Sequence, residues 1–258
     1  MDKELIKSTL NKMDITCDVF VFEETESTNT TAKGFAREGM SENTVILADS
    51  QTGGRGRLGR KFFSPDGTGL YLSIIIRPKF KYNDAFLITP AVAVAVAKVL
   101  REHYQLDARI KWVNDIYIND KKVCGILTES SFDKNGNTEW AVIGIGINLC
   151  PPKDGYPKEL SEIAGALFEV APVREIFASE IIAEVILTCR SLPSRSFIDS
   201  YRSLSYLTGK TVTLPSGEEV KVIGIDDSCG LVIEYPDKRI KSLITSEVSV
   251  KLLKSTSD

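Results

Sequence analysis

The stretch Arg109-Ile110-Lys111-Trp112-Val113-Asn114-Asp115-Ile116-Tyr117-Ile118-Asn119-Asp120-Lys121-Lys122-Val123-Cys124-Gly125-Ile126-Leu127-Thr128 decides the fold class. Its apolar runs are short and rich in β-branched and aromatic residues, which suit strands better than helices. Asn119-Asp120 reads as a tight turn between two of them. Asn135-Gly136 is a second hairpin signal, and Glu139 to Ile147 follows as another strand. Strands joined to their neighbours by hairpins predict α+β, with a central mixed or antiparallel sheet, rather than a doubly wound parallel sheet.

Working outward, Val19 to Phe22, Thr44 to Ala48 and Gly69 to Arg77 read as further strands. Helices are predicted over residues 3–12, Ser27 to Arg37 (Ser27 or Thr28 as N-cap), Pro90 to Glu102, Val173 to Arg190 and Ser196 to Ser205. Residues 151–165 read as loop. Composition shifts near Gly209, and Thr211 to Leu253 holds four or five short strands. That segment predicts a small SH3-like β-barrel, dividing the chain into domains at 1–207 and 208–258.

The chain has 258 residues, 43% of them hydrophobic, and a net charge of −3. A slightly acidic protein is a poor candidate for a dedicated duplex-DNA binder. No apolar window is long enough for a membrane helix, and the first residues lack a signal-peptide pattern, so the expected location is the cytoplasm. Five scattered cysteines suggest reduced thiols. The single histidine, His103, ends a helical run and is assigned no chemistry. Catalysis must then rest on lysine, arginine, carboxylates, amides and backbone groups, a set that fits phosphoryl or adenylyl transfer.

Gln51 to Lys61 places four glycines and four cations in eleven residues with no acid. Glycine permits close backbone approach, backbone N–H groups can form an anion-binding nest, and arginine adds a charged fork. The loop reads as an anion site, with a solvated turn or weak nucleic-acid contact as its plainer alternatives. It is not a P-loop, because no Gly-Lys-Ser/Thr follows, and no helical pattern supports a dinucleotide fingerprint.

Four segments taken in order carry a more specific signal: Glu26-Ser27-Thr28-Asn29, the loop Gln51 to Arg60, Lys111-Trp112-Val113-Asn114-Asp115 with Lys121-Lys122-Val123-Cys124-Gly125-Ile126-Leu127, and Gly144-Ile145-Gly146-Ile147-Asn148. Together they resemble the biotin protein ligase family, from about residue 20 to the end. The resemblance implies a class II synthetase-like biotin/lipoate ligase domain. It implies a two-step reaction with ATP and biotin as substrates and Mg2+ accompanying the nucleotide. Biotinyl-5′-adenylate forms first, and a lysine of a biotin carboxyl carrier protein or carboxylase domain then accepts the biotinyl group.

By that resemblance Ser27, Thr28, Asn29 and Gln51 bind biotin, as do Gly125, Leu127, Gly144 and Gly146, with the glycines admitting the ligand closely. Arg55, Gly56 and Arg57 form the loop over biotin and the acyl phosphate, and Arg60 is a further phosphate-side arginine. Phe62 stands where tryptophan is common and covers the ligand. Lys122 is the foremost catalytic candidate, alongside Arg55, Arg57 and Lys111. Lys111, Asn114, Asp115 and Asn148 serve ATP, and Asp115 is the candidate magnesium ligand. Val113 stands where the family has proline.

About eighteen residues precede the first strand, too few for a helix-turn-helix domain, so no operator binding is expected. A homodimer is plausible by resemblance. The alternatives are a lipoate-type acyl-adenylate ligase and a non-catalytic biotin-binding sensor.

Overall fold

A computed structural model describes residues 1–244 and 251–252. Seven strands form the main sheet: β1 (Asp18–Thr25), β2 (Thr44–Gln51), β3 (Gly69–Ile76), β4 (Arg109–Lys111), β5 (Asp115–Ile118), β6 (Lys121–Phe132) and β7 (Thr138–Asn148). Their spatial order is β1-β2-β3-β7-β6-β5-β4. β1 and β2 run parallel and every other neighbouring pair is antiparallel, so the mixed α+β sheet expected from the hairpins is present. The β5–β6 turn holds Asn119 and Asp120 at φ 48° and 59°, the left-handed region those residues tolerate.

Period-2 alternation divides the sheet into two chemically different faces. Leu70, Leu72 and Ile74 of β3, with Ile143, Ile145 and Ile147 of β7, point into the larger core. That core is covered by α1 (Lys3–Lys12), α4 (Ile88–Glu102), α5 (Arg174–Arg190) and α6 (Ile198–Ser203); a short α3 (Tyr82–Ala85) precedes α4. α4 is apolar on nearly every side because it is buried on nearly every side. The opposite face carries α2 (Thr28–Arg37). Its Ala32 and Ala36 are small enough to lie close against Ile46, Ile75, Trp140 and Val142. This close seating lowers the first turn of α2 onto the middle of the sheet, where the intervening residues of β3, β6 and β7 include Ser73, Gly125, Gly144 and Gly146.

The C-terminal region differs from the expected barrel. β8 (Thr211–Thr213), β9 (Glu219–Ile225), β10 (Leu231–Glu234), β11 (Ile240–Leu243) and β12 (Lys251–Leu252) form an open five-stranded sheet, ordered β11-β10-β9-β8-β12. Strand count is legible from composition, whereas closure depends on whether the two edge strands pair, and among the described residues β11 and β12 do not. The expected strand end at Leu253 and the domain end at 258 lie outside the described residues. Trp112 Nε1 donates to the Cys229 carbonyl (2.9 Å) and Arg202 Nε to that of Ile225 (3.0 Å), tying this sheet to the main one.

The five cysteines are free, His103 pairs with Glu180 (3.1 Å) at the end of α4, and no described helix is long and apolar enough to cross a membrane. Leu72 lies fully buried at the centre of β3. Leu72→Ala is expected to lower unfolding free energy by about 2–5 kcal/mol, read by urea denaturation, because the packed sheet cannot collapse onto the void.

Candidate functional site

A cavity of about 740 Å³ opens over the glycine-bearing face of the sheet. At one end the first turn of α2 supplies neutral hydrogen-bonding groups. Ser27 is the N-cap, yet its side chain makes no capping hydrogen bond, which leaves the hydroxyl at the cavity wall. Thr28 donates its backbone N–H to Gln51 Oε1 (2.9 Å), and Gln51 Nε2 donates to Ser64 Oγ (2.8 Å). Asn29 Nδ2 donates to the Leu127 carbonyl (3.2 Å) and to Glu129 Oε2 (3.0 Å), while its Oδ1 accepts from Ser73 Oγ (2.7 Å). Ser73 Oγ also lies 2.8 Å from Thr28 Oγ1. Each amide is thereby fixed in one orientation, as a preorganised binding end requires.

Ser73 was missed in the sequence reading; its only signal is a small polar side chain inside Gly-Leu-Tyr-Leu-Ser-Ile-Ile-Ile, where every residue is buried. Glu129 was missed as well. It gathers Asn29, Lys33 Nζ (2.7 Å) and Arg55 Nη2 (3.5 Å). Burial pushes its carboxyl up, but the Lys33 and Asn29 hydrogen bonds and the neighbouring cations outweigh that and hold it below the usual carboxylate range.

Gly125, Gly144 and Gly146 line the cavity as expected, and their bare backbone also has a use within the protein. A β-carbon on Gly144 would sit 2.1 Å from Asn29 Oδ1, and one on Gly146 would sit 2.5 Å from the Phe62 ring. On Gly125 it would meet Lys122 Nζ at 3.2 Å and Phe62 at 3.3 Å. In this structure the missing side chains make room for the protein's own Asn29 and Phe62. Gly125 and Gly146 are register partners, so they form one bare strip on which Phe62 rests, edge-on to Tyr71.

The Gly/Arg loop folds back on itself as a small hairpin. Gly56 N–H donates to the Arg60 carbonyl (2.8 Å), Phe62 N–H donates to that of Gly54 (2.9 Å), and Leu58 takes a left-handed φ of 57°. Gly54 is obligatory here, because a β-carbon would lie 2.3 Å from the Phe62 carbonyl oxygen. Arg55, Gly56, Arg57 and Arg60 all line the cavity. Arg57 Nη1 donates to Asn114 Oδ1 (3.0 Å), whose Nδ2 donates to the Ile126 carbonyl (2.9 Å). Burial lowers the Arg57 pKa against the pull of Asp115.

Cationic character grows along the strand order. Lys122 on β6 meets Asp115 on β5 at 2.7 Å. On β4, Lys111 Nζ donates to Tyr117 Oη (3.3 Å), and burial lowers its pKa, with Asp115 opposing and Lys122 and Arg60 reinforcing. The Trp112–Val113 peptide bond is cis. Residues 160–165, expected only as loop, run beside Lys122: its N–H donates to the Ile163 carbonyl (2.7 Å), and its carbonyl accepts from Gly165 N–H (2.9 Å). Leu160 and Ile163 thereby close one wall. Asn148, expected at ATP, lies outside the cavity lining; its amide donates to the Gly165 carbonyl (2.9 Å) and braces this wall.

The donor set bears on magnesium too. Asp115 is a single carboxylate already paired with Lys122, and no cluster of three acidic, histidine or cysteine side chains exists among the described residues. These residues do not build a resident metal site.

The family model described as the biotin/lipoate A/B protein ligase family matches residues 21–148, and that of the biotin protein ligase C terminal domain matches residues 208–251. The chain is 32% identical over 234 residues to the bifunctional ligase/repressor BirA of Bacillus subtilis, covering 87% of this chain and 71% of that protein. It is 28% identical over 235 residues to the biotin–[acetyl-CoA-carboxylase] ligase of Mycobacterium tuberculosis, covering 85% and 84%. The solved biotin protein ligase of Aquifex aeolicus in complex with biotin and ATP superposes with a TM-score of 0.76 at 26% identity, covering 92% of this chain and 99% of that one. The chain belongs to the biotin protein ligase family and is an enzyme of the ligase class.

Glu129→Gln removes a carboxylate whose folded pKa is depressed. Its stabilisation is complete above the unfolded value of about 4.3 and is lost as pH falls through the lower folded value. The expected result is a loss of about 1–3 kcal/mol near neutrality that shrinks below about pH 4, measured by urea unfolding across pH.

Proposed function

We propose that the chain activates biotin with ATP and transfers the biotinyl group to a lysine of a biotin carboxyl carrier protein or carboxylase domain. The observation that carries this reading is the gradient across one cavity. Fixed hydrogen-bonding groups stand at the α2 end, where the one nearby carboxylate, Glu129, is balanced by Lys33 and Arg55; Lys122 stands in the middle, and Arg57, Arg60 and Lys111 stand at the far end. Such a cavity suits a ligand with a polar uncharged ring at one end and a carboxylate directed toward a nucleotide's phosphates.

In the first step a biotin carboxylate oxygen attacks the α-phosphorus. The bond to the bridging oxygen breaks, and its electron pair leaves with pyrophosphate. Both reactants are anions, so the cations do the principal work. Lys122, Arg55 and Arg57 offset the approach of like charges, and Lys111 and Arg60 take up charge on the phosphates. Lys122 must exchange Asp115 for the reacting oxygens, and Arg55 must leave Glu129, so ligand entry reorganises pairs that already exist. In the second step a neutral acceptor amine attacks the acyl carbon, AMP leaves with the bonding pair, and the proton lost by the nitrogen passes to the departing phosphate or to solvent. Leu160, Ile163 and Phe62 keep water from that carbonyl.

Magnesium would enter this reading only as a companion of the nucleotide, where it would offset phosphate charge, with Asp115 the carboxylate that the resemblance assigns to it. Ser27, Thr28, Asn29, Gln51 and the Leu127 carbonyl region serve the biotin ring. The division into catalytic residues 1–207 and C-terminal residues 208–258, a cytoplasmic location and a homodimer belong to the same proposal.

The test is biotin-dependent ATP–pyrophosphate exchange, run in parallel with lipoate. Exchange with biotin supports the proposal; exchange only with lipoate replaces it with the sister activity, and none with either replaces it with a binding protein. Lys122→Ala is expected to lose exchange by about a hundredfold or more while staying folded, and near-normal turnover refutes its role. Arg55→Ala is expected to bind biotinyl-adenylate about 1.5–3 kcal/mol more weakly by titration calorimetry.

A further inference from the structure

At the cationic end of the cavity four side chains follow one another in contact. Lys111 Nζ lies 5.0 Å from the centre of the Tyr117 ring and donates to its hydroxyl. Tyr117 stacks on Tyr206 with centroids 5.0 Å apart and planes 24° from parallel. Lys210 Nζ stands 3.4 Å from the centre of the Tyr206 ring. Tyr206 Oη donates to Asp120 Oδ1 (2.6 Å), on the turn that leads into Lys122.

Tyr206 comes from the segment that leaves α6 for the C-terminal sheet, and that segment is laid down in register. Ile110 N–H donates to the Leu204 carbonyl (2.8 Å), and Tyr206 N–H donates to that of Ile110 (2.8 Å). The connection thus extends the sheet beyond β4 for one short step and sets Tyr206 beside Lys111. A stacked ring and an ammonium at these distances cannot share one face, so both faces of Tyr206 are covered. It has none left on which to stack a base.

We propose that Tyr206 is a positioning residue for Lys111, acting through Tyr117, and that it thereby sets the enzyme's use of the nucleotide rather than of biotin. The inference rests on the ligase reading for its substrate assignment. A buried ammonium needs partners that replace water, and here one hydroxyl and one ring face do so. Tyr117 keeps the required place only if its other side is supported, and Tyr206 supplies that support, with Lys210 behind it and Asp120 fixing its tip. Because Tyr206 belongs to the connection, the seating of the C-terminal sheet and the placement of Lys111 are linked through one ring.

The experiment compares Tyr206→Leu and Tyr206→Phe with the unaltered protein. In biotin-dependent pyrophosphate exchange, Tyr206→Leu is expected to raise KM for ATP about tenfold with KM for biotin nearly unchanged, and Tyr206→Phe, which keeps the stack, stays within about threefold of the unaltered protein. An unchanged KM for ATP, or an equal rise in both constants, overturns the proposal. A second readout is independent of activity: the side-chain methylene resonances of Lys111, shifted by the nearby Tyr117 ring and followed by NMR of labelled lysine, assigned with Lys111→Arg. Tyr206→Leu is expected to move those resonances toward the values of a lysine with no ring beside it, and Tyr206→Phe to leave them in place. Unmoved resonances in Tyr206→Leu also overturn the proposal. If the unaltered protein shows no exchange, the ligase reading fails, and the Lys111 resonances alone decide whether Tyr206 positions Lys111.

Discussion

No β-carbon fits at Gly144. Asn29 Oδ1 stands 2.1 Å from the place it would take, and around that contact the binding end of the cavity is assembled. Because the space is empty, the first turn of α2 reaches the sheet; because it reaches the sheet, Asn29 meets Ser73, the Leu127 carbonyl and Glu129 at once. Small residues on the next turns, Ala32 and Ala36, keep the helix down along its length. A larger side chain at any of these places lifts the helix and separates the groups that fix one another. Packing and hydrogen bonding are here a single requirement.

The rest of the site is built by subtraction and pairing. Gly125 and Gly146 leave a bare strip across β6 and β7, and Phe62 lies on it. The cations of the cavity are held by carboxylate partners: Lys122 by Asp115, and Arg55 by Glu129. Exposed or half-exposed pairs of this kind contribute little stability. Their more important effect is to keep positive groups near their working places without burying them alone. The two sheets share one continuous apolar core, reinforced where Trp112 reaches the Cys229 carbonyl.

How much was legible in the sequence depended on whether a feature is local. The hairpins at Asn119-Asp120 and Asn135-Gly136 announced themselves by residue type, and β5, β6 and β7 followed from them. The Gly/Arg loop stood out because charge and glycine density are compositional facts, and the structure places its arginines in the cavity lining. The glycines of β6 and β7 were seen, yet the side chains against them were not, since Asn29 reaches Gly144 from a helix and Phe62 reaches Gly125 and Gly146 from a loop, each far away in sequence. Ser73 and Glu129 went unnoticed for the same reason: each matters through neighbours distant in sequence. Asn148 looked like a ligand contact but holds the Gly165 carbonyl, a partner whose place is set by the path of a loop. The barrel failed for a related reason, because closure is a property of edges and not of strands.

The backbone of Lys122 is clasped on both sides by residues 163 and 165, through a 2.7 Å bond from its N–H and a 2.9 Å bond to its carbonyl. Its amide is sheltered from solvent only while that segment stays docked. Deuterium uptake at this one position therefore clocks the undocking of the wall, even in protein that carries no ligand. The lysine at the middle of the cavity thus bears, on its own peptide group, a built-in gauge of how often the chamber around it stands open.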